Sequence, residues 1–421
     1  MSKYKIIGPA KLNGEVTISG AKNAALKLIS AAILADSPSK ISNVPKIIDI
    51  KKMIHIVESL GAKILFDSNA VNIDPSTINS TDLEESYVKK LRGSVVLVGP
   101  MLAKFGKVKF AQPGGCLIGA RAIDDHLDLF SQLGVKINNK GDHYVLTGKP
   151  KSGDIILNKL SVTTTENAIM ATVLSSGTTH IHVAAAEPEI TDLACFLNKM
   201  GAKISGAGTH DIVIEGVEKL TGVEYSVMPD RIEAGTYLMA AIVTNSCVEI
   251  SPIIPDHMSI VLRKLERSGA KFNIKKLGKY SKIITGKHDE LKSLDIDTRT
   301  YPGFPTDLQS VYAVLATQTS GQTRIFETIF EGRFGYVEEI RKMGAKINIK
   351  TAHIISIDGP QKLKGTKINA LDIRGGAALV LAALVAEGET EIDNIELIER
   401  GYEDMDKKLK SLGVDISLVK K

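Results

Sequence analysis

Ile50, Met53, Ile54, Val57 and Leu60 fall on one face of a 3.6-residue helix, and Gly61 ends the run. A glycine there supplies the left-handed backbone that stops a helix. Ala62-Lys63-Ile64 then opens a strand. Ile190, Leu193, Leu197 and Met200 repeat the stripe before Gly201. The signature around these glycines recurs as Leu60-Gly61-Ala62-Lys63-Ile64, Leu133-Gly134-Val135-Lys136-Ile137 and Met200-Gly201-Ala202-Lys203-Ile204. It returns as Ser268-Gly269-Ala270-Lys271-Phe272, Met343-Gly344-Ala345-Lys346-Ile347 and Leu412-Gly413-Val414-Asp415-Ile416. The glycines are 73, 67, 68, 75 and 69 residues apart. Spacing this even defines six structural repeats.

Each repeat carries a second helix of different character, rich in small and apolar residues. These are Ala24 to Ala35, Ser94 to Lys104, Ala168 to Ser175, Ala234 to Thr244, Val311 to Thr317 and Gly375 to Ala386. A helix that is apolar nearly all round is buried, and small residues let several pack closely. The pattern predicts an α/β fold of two lobes, each of three repeats with buried helices enclosed by short-stranded sheets. The break falls near Tyr225 to Asp230. Residues 21–229 form the first lobe, and residues 230–421 the second. The strands Tyr4 to Ile7 and Gly14 to Ser19 precede the first buried helix, so residues 1–20 are assigned to the second lobe.

Composition narrows the function. At 421 residues, the length favours two or three domains. Hydrophobic residues at 43% and charged residues at 24% exclude wholesale disorder. The net charge, 53 − 48 = +5, is spread along the chain, and aromatics are 5% with no Trp, which argues against a nucleic-acid surface. A mild positive balance suits a small anionic substrate. The longest apolar run, Gly375 to Ala386, has 12 residues, short of the ~20 that span a membrane. The first residues lack the apolar core of a signal peptide. Three scattered cysteines make neither a disulfide framework nor a zinc cluster. The expectation is a cytoplasmic protein with no metal and no cofactor, acting as a monomer with no nucleic-acid or membrane partner.

Polar residues gather where the buried helices open. Lys22-Asn23 stands at the first, Arg92 at the second, Glu166-Asn167 at the third, Arg231 at the fourth, Asp307 at the fifth and Arg374 at the sixth. Helix N-termini favour anions. With Arg121 and Arg400, these residues predict a cationic cleft between the lobes, suited to phosphate and carboxylate. Thr163-x-x-Glu166 and Thr306-x-x-Gln309 also match capping boxes, so some of these groups could simply start helices. Gln112-Pro113-Gly114-Gly115-Cys116-Leu117-Ile118-Gly119-Ala120-Arg121 places a thiol in a glycine-rich loop near a cation. That arrangement fits a reactive cysteine or a structural one. Cys195, in an amphipathic helix, and Cys247, in a strand, read as core residues.

These residues carry a family resemblance. The stretch from Leu12 to Ala25, containing Ser19-Gly20-Ala21-Lys22-Asn23, resembles the start of the UDP-N-acetylglucosamine 1-carboxyvinyltransferases, also called enolpyruvyltransferases. The cysteine loop, Tyr301-Pro302-Gly303-Phe304-Pro305-Thr306-Asp307, Glu327-Thr328-Ile329-Phe330-Glu331 and Arg400-Gly401-Tyr402-Glu403 are similar as well. The resemblance implies two inside-out α/β barrel lobes. It also implies transfer of enolpyruvyl from phosphoenolpyruvate to the 3-hydroxyl of UDP-N-acetylglucosamine, with release of phosphate, as the first committed step of peptidoglycan synthesis. By position, Lys22 and Asn23 would hold phosphoenolpyruvate, with Arg121 and Arg400 adding charge. Arg92, Arg121, Ile123, Asp124, Lys159, Ser161, Val162, Asp307 and Ile329 would contact the UDP-sugar. Cys116 would donate the proton, form a covalent adduct with phosphoenolpyruvate and be the point of attack of the epoxide fosfomycin. Asp307 would take the sugar hydroxyl proton, and Arg374 would add a further cation.

The chain departs from the family pattern at Ala122, where proline is usual, at Asp125, where an apolar residue is usual, and at Thr163, where glycine is usual. All three lie by the expected nucleotide-sugar site. The rival expectations are enolpyruvyl transfer to shikimate 3-phosphate and a non-catalytic, anion-binding repeat scaffold.

Overall fold

The computed structural model describes residues 2–114 and 123–419. Two kinds of helix alternate along the chain. The first kind comprises α1 (Lys22–Ala31), α3 (Val98–Phe105), α5 (Val162–Thr172), α7 (Arg231–Val243), α9 (Gln309–Ala316) and α11 (Ile373–Val385). The second comprises α2 (Ile48–Ser59), α4 (Asp124–Gln132), α6 (Pro188–Lys199), α8 (Ser259–Ser268), α10 (Tyr336–Lys342) and α12 (Met405–Ser411). In the first kind nearly every residue is buried: all of α7 except Arg231, and all of α11 from Ile373 to Leu384. The second kind buries one stripe, as in α8, where Val261, Leu262 and Leu265 face inward and Arg263, Lys264 and Glu266 do not. That is the division which apolar periodicity dictates.

The glycines of the repeat act as the pattern requires. Gly61, Gly134, Gly201, Gly269, Gly344 and Gly413 have φ of 104°, 75°, 110°, 97°, 96° and 89°. A side chain resists this region, and it lets each outer helix stop and turn straight into a strand.

The chain forms two compact units, one of residues 2–19 with 229–419, the other of residues 20–114 with 123–228. In the first unit α7, α9 and α11 pack on one another, and three four-stranded sheets surround them. The strand Lys3–Gly8 lies between Gly388–Asp393 and Asp415–Val419, antiparallel to both. The strand Asn13–Thr17 runs parallel to Cys247–Ile253. In the second unit α3 packs on α5 and on the 3₁₀ turn Ala32–Leu34 that extends α1. Two of its sheets have four strands and one has three. At the edge of that three-stranded sheet the fourth strand shrinks to a single parallel bridge, Asp82 to Lys109. Each lobe is thus an inside-out α/β arrangement of helices within sheets. The sheets share no strands among the described residues, so the enclosure is three separate sheets and not a closed barrel.

Close helix packing has one sharp requirement. A Cβ at Gly99 of α3 would lie 2.7 Å from the Asn167 carbonyl oxygen of α5, so only glycine fits. No helix among the described residues is long and apolar enough to cross a membrane.

Candidate active site

In the unit built on α1, α3 and α5, Lys22 is the first residue of its helix and Asn23 the second. The Lys22 ammonium is almost buried and lies 3.0 Å from Asp49 Oδ2, on the first turn of α2. A buried lysine needs such a partner, because desolvation penalises its charge. Arg92 opens a 3₁₀ run, Arg92–Leu97, that leads into α3, and its guanidinium reaches the Pro113 carbonyl at 3.5 Å. Ile123 and Asp124 stand at the start of α4, while Lys159, Ser161 and Val162 stand at the start of α5. Lys159 Nζ bonds Asp125 Oδ2 at 2.6 Å, which ties these two segments together. Cys116, Arg121 and Ala122 lie outside the described residues.

In the other unit, Asp307 sits in the 3₁₀ turn Thr306–Leu308 that precedes α9. Its Oδ1 accepts from Arg333 Nη2 at 2.6 Å, and its Oδ2 accepts from Arg374 Nε and Nη2 at 3.2 and 3.1 Å. Both guanidinium groups are buried, whereas the carboxylate is about a quarter exposed. Burial discourages charge on Arg374 more than any one neighbour favours it, but Asp307, Tyr402 and Asp230 together outweigh burial and keep the guanidinium protonated. Arg374 also lies over the Tyr402 ring, 5.2 Å from its centroid, and its Nη1 has no hydrogen-bond partner among the described residues. Ile329 lies on a loop fixed by the fully buried Glu327. Glu327 Oε1 accepts from Thr298 Oγ1 and from the Ile329 and Phe330 amides, and Oε2 accepts from Thr306 Oγ1. Arg400 is half-buried in the turn after the 3₁₀ segment Ile395–Leu397.

Four sequence readings need correction. Helix α5 begins earlier than its apolar run, so Ser161 is the N-cap and accepts from the Thr164 amide; Thr163 does not cap it. Glu166 and Asn167 consequently lie in the second turn, fully buried, and not at the helix mouth. Thr306 makes no capping box, because Glu327 takes its hydroxyl instead. Cys195 and Cys247 are exposed, not core. Cys195 lies two residues, about 200°, around α6 from Leu193, and Cys247 has the strand parity opposite to Val248 and Ile250. Burial of its stem and then Asp192 push the Cys195 thiol up. Sequence reasoning also missed Asp49, Glu327 and Arg333. Each acts through a partner remote in sequence, and only the Glu327 motif gave a signal.

Glu166 supports a prediction about stability. Its carboxyl is fully buried 3.4 Å from Lys27 Nζ, and burial, only partly opposed by Lys27, raises it to about 8. The folded chain therefore holds a proton that the unfolded chain releases above its ordinary value near 4.5. Stability contributed by this site is present below pH 4.5 and is lost as pH rises towards 8. Urea unfolding at pH 5 and pH 8 should show a larger loss for wild type than for Glu166→Gln, and equal losses would refute the assignment.

A family described as EPSP synthase (3-phosphoshikimate 1-carboxyvinyltransferase) matches residues 6–409. A protein from Halothermothrix orenii named UDP-N-acetylglucosamine 1-carboxyvinyltransferase is 44% identical over 100% of both chains. One of the same name from Coxiella burnetii is 43% identical over 100% of this chain and 96% of its own. The chain belongs to the EPSP synthase family. It is a transferase of the carboxyvinyl (enolpyruvyl) class. Among solved structures, the enolpyruvyl transferase NikO from Streptomyces tendae superposes with a TM-score of 0.89 at 25% identity, covering 99% of each chain. The EPSP synthase of Acinetobacter baumannii, with a TM-score of 0.78 at 17% identity over 100% of each chain, shares the family fold.

Proposed function

We propose that the protein transfers enolpyruvyl from phosphoenolpyruvate to the 3-hydroxyl of UDP-N-acetylglucosamine, the first committed step of peptidoglycan synthesis. The reading is carried by end-to-end identity of 44% with a relative bearing that activity in its name. The chemistry is an addition followed by an elimination. A proton passes to C3 of phosphoenolpyruvate while the sugar oxygen bonds to C2 and gives up its own proton. The C–O bond to phosphate then breaks, C3 loses a proton, and the products are the enol ether and inorganic phosphate.

Cys116 supplies the proton for C3, since a thiol can act as a general acid near neutral pH. Asp307 receives the hydroxyl proton, and its partly exposed carboxylate is held by Arg333 and Arg374. Lys22 and Asn23 hold phosphoenolpyruvate, with Arg121, Arg374 and Arg400 stabilising the charge of the departing phosphate. Arg92, Ile123, Asp124, Lys159, Ser161, Val162 and Ile329 bind the nucleotide-sugar. The protein works as a monomer in the cytoplasm.

Phosphate release, measured with UDP-N-acetylglucosamine and separately with shikimate 3-phosphate, tests the reading. Release with the UDP-sugar alone is the expected result. Release with shikimate 3-phosphate alone would transfer the assignment to the activity that gives the family its description, and release with neither would leave a binding scaffold.

A further inference from the structure

We propose that His126 is a positioning residue that locks together the two segments reading the nucleotide-sugar, Ile123–Asp124 on α4 and Lys159–Val162 before and at the start of α5. The inference rests on the functional reading above. Its physical basis is a buried hydrogen-bond chain whose donors and acceptors admit one arrangement. Asn167, on α5, is fully buried, and its Oδ1 accepts from the Gly99 amide at 2.8 Å. That fixes the amide orientation and aims Nδ2 at the Val95 carbonyl, 2.9 Å away, and at His126 Nδ1, 3.1 Å away. An amide nitrogen only donates, so Nδ1 of His126 is an acceptor and carries no proton. The ring proton therefore lies on Nε2, which donates to Thr163 Oγ1 at 3.2 Å. Burial, then the charge of Arg92, pushes this imidazole down to about 4, in keeping with a neutral ring.

His126 is two residues beyond Asp124, and Thr163 immediately follows Val162. The chain Gly99–Asn167–His126–Thr163 thus clamps the openings of α4 and α5 to α3. Asp125 adds the exposed Lys159 pair at the rim. Two positions where this chain departs from the family pattern, Asp125 and Thr163, both supply cross-links between the segments. Lys22 depends on none of these bonds, because Asp49 holds it separately.

Thr163→Val removes the acceptor while keeping the side-chain shape, and leaves the Nε2–H of the buried His126 without its partner. Thr163→Ser retains the hydroxyl. Steady-state phosphate release should show KM for UDP-N-acetylglucosamine raised about tenfold in Thr163→Val. KM for phosphoenolpyruvate and kcat should stay within about twofold of wild type, and Thr163→Ser should restore the wild-type KM. Thermal melts should place both variants within a few degrees of wild type. A Thr163→Val enzyme matching wild type in both KM values overturns the positioning role. So does one in which both KM values and kcat deteriorate together with a lowered melting temperature. A wild type without turnover on the UDP-sugar instead sinks the functional reading, and the positioning role falls with it.

Discussion

Asp307→Asn should lower kcat by about 10²–10⁴-fold, the usual range for removal of a general base. The amide cannot take the sugar hydroxyl proton. The same substitution should also cost stability, which a helix-opening position by itself would not foretell. Asp307 accepts from Arg333 through one oxygen and from Arg374 through the other. Asparagine offers one oxygen only, and turns a donor towards a buried guanidinium that keeps its charge. Breaking fully buried pairs costs about 3–5 kcal/mol, and the exposed edge of Asp307 reduces this to roughly 2 kcal/mol. Turnover must therefore be read at a temperature well below the variant's melting point. Wild-type kcat in a fully folded Asp307→Asn protein would remove this carboxylate from the mechanism.

Cys116→Ser should be nearly inactive, and Cys116→Asp should keep turnover. Serine keeps the size of the side chain but is too weak an acid to protonate carbon, whereas a carboxylic acid is ordinarily a stronger acid than a thiol. The pH optimum of Cys116→Asp should accordingly move lower. An aspartate is a poor match for epoxide opening, so the same variant should resist fosfomycin, and wild type should be inactivated by it. Activity across pH 6 to 9, with and without the epoxide, reads both effects. Serine and aspartate variants that both turn over like wild type would show that Cys116 is not the proton donor. Burial does not protect the other two thiols, since Cys195 and Cys247 are both exposed. For Cys195 the raised thiol is the brake, because the thiolate is the reactive form.

Much of this architecture is written in short-range patterns. The stripe from Ile50 to Leu60 and the glycine after it define α2 and its end, and the same periodicity defines α6. These signals are legible because 3.6-residue periodicity and positive φ are properties of a few neighbouring residues. Even the exposure of Cys195 was legible, since its angle from the Leu193–Leu197 stripe turns it outward. Composition pulled the other way, because cysteine is usually buried. The helix-start readings failed for a related reason. Ser161 and Thr163 carry equivalent hydroxyls, and only the point at which the backbone becomes helical decides which one caps α5.

The sequence by itself determined the six repeats, the alternation of enclosed and one-sided helices, and the residues of the cysteine loop and the Pro-Gly-Phe-Pro-Thr-Asp run. The tertiary structure alone decided who partners whom. Lys22 meets Asp49 from another helix, Asp307 meets arginines 26 and 67 residues away, and His126 meets Asn167 41 residues on. A buried charge or polar group must find a complement, but nothing in its own neighbourhood along the chain names that complement. The choice is made when helices pack and exclude water, and there an unpaired group becomes costly.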